Sequence, residues 1–427
     1  MTAATAQPTT APAGGLRGNR RFRRFWLAET VTQVGDRVTE LALPLIAVTL
    51  LAATPGQMSV LNALIWTPYL LGMVVGAWVD RRTHKRRLLV VADLARAAVL
   101  LSLPVAYLLD AVTLTQLYLV ALLTGAGAVL AGMAHQAFFV ALVPPSAYLE
   151  ATSRLSISRA GSSVAGPAVG GTLVQALTAP VAILLDAVSF LVSALLVGRI
   201  RVTEAPPPPS RASTLALVRD GLRMVLRHPV LRACLGCTGT VNFFTMMASA
   251  LLVLYASRDL DLSPGAIGLA LGIGAVGALG GAALAPRVSR VLGLGRTAIV
   301  GAVLFPAPTA LAALATGPTW AKVALLAGVT VLSGVGVMLM DVNLNALLAR
   351  ITPDHARGRR AGAYSALNYG VRPVGALVGG ALGTVLGLRP TLVVAGLGGA
   401  LAALWLVASP VRRIATMDDA AEVQIPA

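Results

Sequence analysis

The chain has 427 residues, 56% of them hydrophobic and only 12% charged, with a mean hydropathy of +0.79. Soluble domains carry about a quarter charged residues, so this composition excludes an ordinary soluble enzyme or binding module. The formal charge of +17 does not by itself imply nucleic acid, whose binding surfaces gather charge on one folded module.

Residues 1–24 begin Ala-, Thr- and Pro-rich and end in an arginine cluster, Arg17, Arg20, Arg21, Arg23 and Arg24. With no apolar core they read as a disordered basic cytoplasmic arm rather than a cleaved signal peptide. Twelve apolar stretches follow, at about 25–51, 57–79, 88–109, 113–139, 150–176, 180–198, 231–256, 263–286, 296–316, 320–349, 358–386 and 390–409. A helix needs roughly 20 such residues to cross a ~30 Å hydrocarbon core, so each predicts a membrane-spanning helix. Of the 34 basic residues, 26 fall in the arm, the tail and alternate loops, while the opposite loops hold only Arg258, Lys322 and Arg389. Positive residues stay in the cytoplasm during insertion, which places both termini there. The charge is topology: the bilayer is the expected partner and nucleic acid is not.

In the first stretch Glu29, Gln33, Asp36 and Glu40 are spaced by four, three and four, so they share one helical face. Counted from Phe25 at 1.5 Å per residue, Asp36 lies roughly 16 Å deep, near the bilayer centre. A carboxylate there costs several kcal/mol unless it faces a wet cavity, is paired, or is protonated. Such a group suits a carrier that binds and releases protons, which makes Asp36 the first candidate for proton coupling, Glu40 the second and Glu29 a third. Arg37 can neutralise Glu40 three residues on. The competing reading is a structural ion pair of Asp36 with Arg37 or Arg96.

After the second stretch comes Gly76-Ala-Trp-Val-Asp80-Arg81-Arg82-Thr83-His84-Lys85-Arg86-Arg87. Asp80 at a helix end can accept hydrogen bonds from a neighbouring helix N-terminus and pair with an arginine, and Gly76 permits close approach. Asp93 and Arg96, three apart in the third stretch, can pair with one another. Arg154 and Arg159 fall early in the fifth, where snorkelling to the surface is the simplest role. That stretch continues Gly166-Pro167-Ala-Val-Gly170-Gly171, a proline bend among small residues that allow tight packing. Asp186 is an isolated carboxylate in the sixth.

The run Pro206–Pro209 reads as a stiff linker and Ser213–Arg227 as an amphipathic surface helix. Residues 199–230 thus form a cytoplasmic linker between a bundle at 25–198 and another at 231–409, with 410–427 a cytoplasmic tail. In the second bundle Cys234 and Cys237 have no further ligands and read as packing residues, and Gly272-x-Gly274 follows no strand. Asp341, Asn345 and Arg372 are cavity or ion-pair candidates beside Gln33, Arg37, Asp93, Arg96 and Asp186. His84, His135, His228 and His355 are too scattered for a metal or catalytic cluster, and no Gly-Lys-Ser/Thr phosphate loop is present. An offset of 209 residues carries His135–Pro144 onto Leu344–Pro353, Gly161 to Gly370, Gly166 to Gly375, and Gly170-Gly171 to Gly379-Gly380. Duplication in parallel order marks a transporter of two pseudo-symmetric bundles with the substrate held between them.

The layout and the Gly76–Arg87 signature resemble the major facilitator superfamily, although Thr83 stands where many members have Gly and His84 replaces a basic residue. Phe25-Trp26, Val34-Gly35-Asp36, Ala42-Leu43-Pro44-Leu45, Ala92–Arg96 and Asp186–Phe190 are similar to the macrolide-efflux and enterobactin-exporter-like drug:proton antiporter subgroup. The resemblance implies that Gly76, Asp80, Arg81, Lys85 and Arg86 form a cytoplasmic gate. It likewise implies that Gly166, Pro167, Gly170 and Gly171 match an antiporter motif, with Ser162 in place of its usual first glycine.

The fold class expected is therefore all-α integral membrane, twelve helices in two pseudo-symmetric six-helix bundles. The function expected is export of a small, largely apolar compound in exchange for protons. No cofactor is expected, the proton gradient being the energy source, and the protein is expected to be a monomer and not an enzyme. Two alternatives stand beside this: an exporter or flippase of a siderophore or lysophospholipid on the same fold, and a membrane sensor that does not transport.

Overall fold

The computed structural model describes residues 16–202, 214–352 and 357–421. The expectations for residues 1–15, for Pro206–Pro209, for Pro353 and His355, and for 422–427 lie outside the described residues. Among the described residues all regular structure is helical: α1 (Arg20–Thr49), α2 (Pro55–Asp80), α3 (Lys85–Leu108), α4 (Leu114–Leu142), α5 (Tyr148–Leu177), α6 (Ala179–Gly198) and α7 (Thr214–Arg227). The second half continues with α8 (Pro229–Arg258), α9 (Pro264–Leu292), α10 (Leu294–Leu314), α11 (Thr319–Ile351), α12 (Arg357–Val385), α13 (Leu388–Val407) and the short α14 (Met417–Ala421). Nine of these are long and apolar enough to cross a membrane. The long helices that fall short are α1, α5 and α12, which carry the intramembrane charges Glu29, Asp36, Arg37, Glu40, Arg159 and Arg372. The charges of α1 and α5 line a cavity, and Arg372 of α12 packs on Trp66 of α2, so low hydropathy here marks helices whose polar faces turn inward.

Local signals set the helix starts. Asn19 caps α1 by accepting from the N–H groups of Arg21 and Phe22. Thr54 forms a reciprocal capping box with Gln57 at α2, and Ser263 caps α9, each followed by proline at the first helical position. α2 is interrupted by a tighter turn at Thr67–Leu71 that contains Pro68. In the first bundle α1 packs on α5 and α6, α3 on α4 and α6, and α2 on α4; in the second α11 packs on α9 and α10, and α8 on α12 and α13. The amphipathic α7 lies against α8 and α12, with Val225 buried and Leu226 exposed.

The bundles meet through α5 with α9 and α2 with α12, and the 209-residue offset exchanges these two seams. Gly171 packs against the Pro264 carbonyl and Gly268; its counterpart Gly380 packs against the Pro55 carbonyl and Ser59. Gly170 lies against Val38 and its counterpart Gly379 against Met247, again one offset apart. The turns repeat as well: Ala52 and Asp261 have φ 48° and 54°, Thr178 and Gly387 80° and 90°.

These seams lie at the end opposite the chain termini. There one continuous apolar cluster joins both bundles, with Ile46, Met58 and Ile183 beside Leu254, Ile267 and Leu392. Toward the basic end the core divides in two. Phe22, Leu89, Phe138 and Val197 belong to one cluster, and Leu231, Leu344, Leu406 and Val411 to another. A side chain added at Gly161 of α5 or Gly280 of α9 would meet nothing within 4 Å. The bundles are closed at one end and parted at the basic end.

Candidate functional site

A cavity enters from the basic end and runs along the inner wall of the first bundle, lined by α1 to α6, in two overlapping parts of about 340 Å³ and 240 Å³. The shared face read from α1 is its wall: Glu29, Gln33 and Asp36 line both parts and Glu40 the inner one. Helical periodicity alone accounts for that.

Asp36 forms an ion pair with Arg96 of α3, whose guanidinium lies 3.9 Å over the Phe190 ring. Arg96 is buried, and its stem occupies room that Gly127 leaves on α4, where a Cβ would come within 2.5 Å of Arg96 Cγ. This corrects the pairing of Asp93 with Arg96. Asp93 faces α6 and accepts from Ser193 Oγ at 2.6 Å, while the longer arginine reaches across to α1. Arg37 pairs with Glu40 at 2.7 Å, its stem lying on Gly166 of α5.

Glu29 accepts from Gln33 Nε2 at 2.8 Å and lies 3.2 Å from His135 Nε2, the imidazole being stacked on Phe25 at 4.7 Å. His135 and Arg159 were both missed. The histidines looked scattered in sequence because His135 gains its meaning only from the rotation of α4, and Arg159 lines both parts of the cavity instead of snorkelling. Arg154 does stay near the basic end, paired with Glu150 at 2.7 Å. Asp186 does not line the cavity. It is fully buried against α1, accepting from Thr39 Oγ1 and, at 3.1 Å, from Ser189 Oγ, in space that Gly35 leaves free.

From the second bundle Arg372 Nε donates to Asn242 Oδ1 at 2.9 Å, and Asn242 in turn donates to Asn368 Oδ1 at 3.0 Å. The guanidinium lies 4.3 Å over Trp66 of α2 and 4.5 Å over Tyr369 of α12. Tyr69 completes an aromatic group that bridges the bundles, 5.1 Å from both Trp66 and Tyr369. These rings carry no charge pattern, so a reading that tracked ionisable residues passed over them. Asp341 is half-buried in the field of Arg372 but pairs with nothing among the described residues. Asn345 is exposed, whereas its neighbour Asn343 is buried and accepts from Ser289 Oγ at 2.7 Å.

At the α2–α3 loop Asp80 and Arg81 are exposed, and Asp80 makes no ion pair among the described residues. A Cβ added at Gly76 would lie 3.4 Å from Met133 Sδ of its own bundle. Lys85 opens α3, and Arg86 donates to the Ile200 and Gly198 carbonyls at 2.7 and 3.3 Å, closing the end of α6. The loop thus holds its own bundle while the basic end stands open. On α5, Gly166 and Gly170 face α1, while Gly171 and the Pro167 carbonyl face α9.

Carboxylates held by detachable partners along a water-accessible wall can exchange protons. Aromatic rings at the inner end offer apolar and cation–π contact to a solute.

A family described as transmembrane secretion effector matches residues 11–427. The multidrug efflux pump Tap of Mycolicibacterium fortuitum is 27% identical over 340 residues, 75% of this chain and 79% of that protein. The uncharacterized MFS-type transporter YfiS of Bacillus subtilis (strain 168) is 25% identical over 395 residues, 89% and 91% of the two chains. Among solved structures, a bacterial homologue of iron transporter ferroportin in inward-facing state superposes with a TM-score of 0.72 at 18% identity, covering 92% of this chain and 99% of the other. At that identity the likeness is one of fold.

Proposed function

The chain belongs to the transmembrane secretion effector family of major facilitator transporters, and we propose from this that it exports a small, largely apolar compound by proton antiport and alternating access. It is a multi-pass membrane transporter of small molecules, not an enzyme. The observation that carries the coupling reading is the Asp36–Arg96 pair. It sits on the wall of a cavity in the first bundle whose inner end meets the second bundle at Trp66, Tyr69 and Tyr369, and the glycine seams close the far end of the molecule. Protonation of Asp36 removes the charge that holds Arg96 toward α1, and Glu40 with Arg37 repeats the arrangement deeper in the cavity. The relatives named multidrug efflux pumps and the aromatic group at Trp66 support export of a drug-like compound. In this reading the proton gradient is the only energy source, both termini are cytoplasmic in the cell membrane, and the protein works as a monomer. The Gly76–Arg86 loop latches the basic end when the other end opens.

The test is ethidium flux in proteoliposomes with an imposed pH gradient, comparing wild type with Asp36→Asn. Gradient-driven flux in wild type and its loss in a variant that still binds ethidium, read by tryptophan quenching, support the reading. Equal gradient dependence in both proteins would make Asp36 structural and move coupling to another carboxylate. Flux that ignores the gradient in wild type would remove the antiport step itself.

A further inference from the structure

A cavity of about 1050 Å³ lies outside the transport site, at the basic end of the second bundle. It is framed by the last turns of α9, the first of α10, Val342, Asn343 and Ala346 of α11, and the segment Arg412–Met417. That segment is pinned by the chain's own hydrogen bonds, from Leu294 N–H to the Ala415 carbonyl at 3.0 Å and from Gly295 N–H to the Ile414 carbonyl at 2.9 Å. Gly293 turns the chain at φ 85°, where an added side chain would also meet Ala415 Cα at 3.0 Å. The cleft is therefore built into the fold and is not a gap beneath a loose tail.

Arg290, Arg296, Arg412 and Arg413 line it. None of the four makes an ion pair among the described residues, and no carboxylate lines the cleft. Asp419 is close in sequence, but its carboxylate accepts the N–H groups of Ala415 and Thr416 at 2.8 and 2.9 Å, so it caps its own turn. Four cations thus line one cleft with no ion-pair partner among the described residues. Between Arg290 and Arg296 the turn presents Val291, 83% exposed, and Leu292, 40% exposed. Apolar residues beside free cations at the end of membrane helices suit the boundary between headgroups and acyl chains. Basic pockets between helices at that level are where acidic headgroups bind.

We propose that this cleft binds the phosphate of an anionic phospholipid headgroup, with Arg290 and Arg296 on one side, Arg412 and Arg413 on the other, and Val291 and Leu292 against the acyl chains. It shares no lining residue with the transport cavity. The site links the tail to the lipid through α9 and α11, so lipid composition can act on the second bundle without touching the cavity.

The experiment titrates the full-length protein in detergent micelles with dioleoylphosphatidylglycerol, dioleoylphosphatidylcholine or inorganic phosphate. Thermal unfolding is followed in parallel with native mass spectrometry of retained lipid. Phosphatidylglycerol should raise the melting temperature and stay bound, and phosphatidylcholine should do neither. The Arg290→Gln/Arg296→Gln and Arg412→Gln/Arg413→Gln variants should each weaken that response roughly tenfold, whereas Arg223→Gln on α7 should not. Equal shifts from the two lipids, or double variants that titrate like wild type, would overturn the proposal. A full shift from inorganic phosphate alone would overturn the lipid assignment. Should a double variant fail to fold, single Arg412→Gln in the mass-spectrometric assay must still lose retained phosphatidylglycerol, and unchanged retention would sink the site.

Discussion

Thr178 and Gly387 occupy equivalent turns, after α5 and before α13, with φ/ψ of 80°/155° and 90°/168°. That region is open to glycine and costs a β-branched residue about 1–3 kcal/mol. Thr178 is exposed and its side chain makes no capping hydrogen bond among the described residues that would offset the strain. Thr178→Gly should therefore raise stability by about 1 kcal/mol after the extra chain entropy of glycine is subtracted. Chemical denaturation in detergent reads this directly, and an unchanged or lower midpoint would show that the turn is not strained. Single residues are also where the sequence was least informative. The α1 face was legible from spacing, but the partner of Asp36 depended on how α3 is rotated, so Arg96 was assigned to Asp93 as readily as to Asp36. Asp186 looked like a cavity carboxylate because nothing in its own neighbourhood reveals that Gly35 makes room for it on α1.

At the scale of the helix pair, the two seams are copies. The offset found in sequence located the glycines, and the structure adds what they touch: Pro264 and Gly268 in one seam, Pro55 and Ser59 in the other. The offset also carries Thr54-Pro55-Gly56 to Ser263-Pro264-Gly265, but spacing along the chain does not say which helix faces the glycines of α5 and α12. A Cβ at Gly171 would lie 2.5 Å from the Pro264 carbonyl and 2.9 Å from Gly268 Cα, both backbone atoms that cannot swing aside. Gly171→Val should thus wedge α5 from α9, at an overpacking cost of about 1–3 kcal/mol. If the closed end is one cooperative contact, the wedge must also loosen the other seam. Ser59, 1% exposed beneath Gly380, reports that at a distance. In a Ser59→Cys background, Gly171→Val should speed maleimide labelling of the new thiol about tenfold or more, with Cys234 and Cys237 silent because both are fully buried. Labelling at the parent rate would mean that the two seams open independently.

For the molecule as a whole, the sequence disclosed two bundles but not which end is shut, since closure is a property of one state and not of the chain. The structure is shut opposite the termini, where a single apolar cluster spans both bundles, and open where that cluster divides. A carrier in this state must break the α2–α12 and α5–α9 seams at some point in each cycle, whereas a sensor that only binds need not. A Cβ on Gly383 would stand 3.3 Å from Cβ of Pro55 across the seam, a few tenths of an ångström inside the separation of about 3.5–4.5 Å that a disulfide spans. The pair Pro55→Cys/Gly383→Cys should therefore cross-link on oxidation and hold the closed end shut. Ethidium flux in proteoliposomes should then fall at least about tenfold, the loss expected when the barrier to opening becomes a covalent bond, and return on reduction with dithiothreitol. Neither single cysteine should respond. Full flux through the oxidised, verified cross-link would show that the bundles do not part there during turnover, and alternating access about this seam would be wrong. Flux that falls on oxidation and recovers on reduction ties opening of the end opposite the termini to transport, which a non-transporting sensor cannot reproduce.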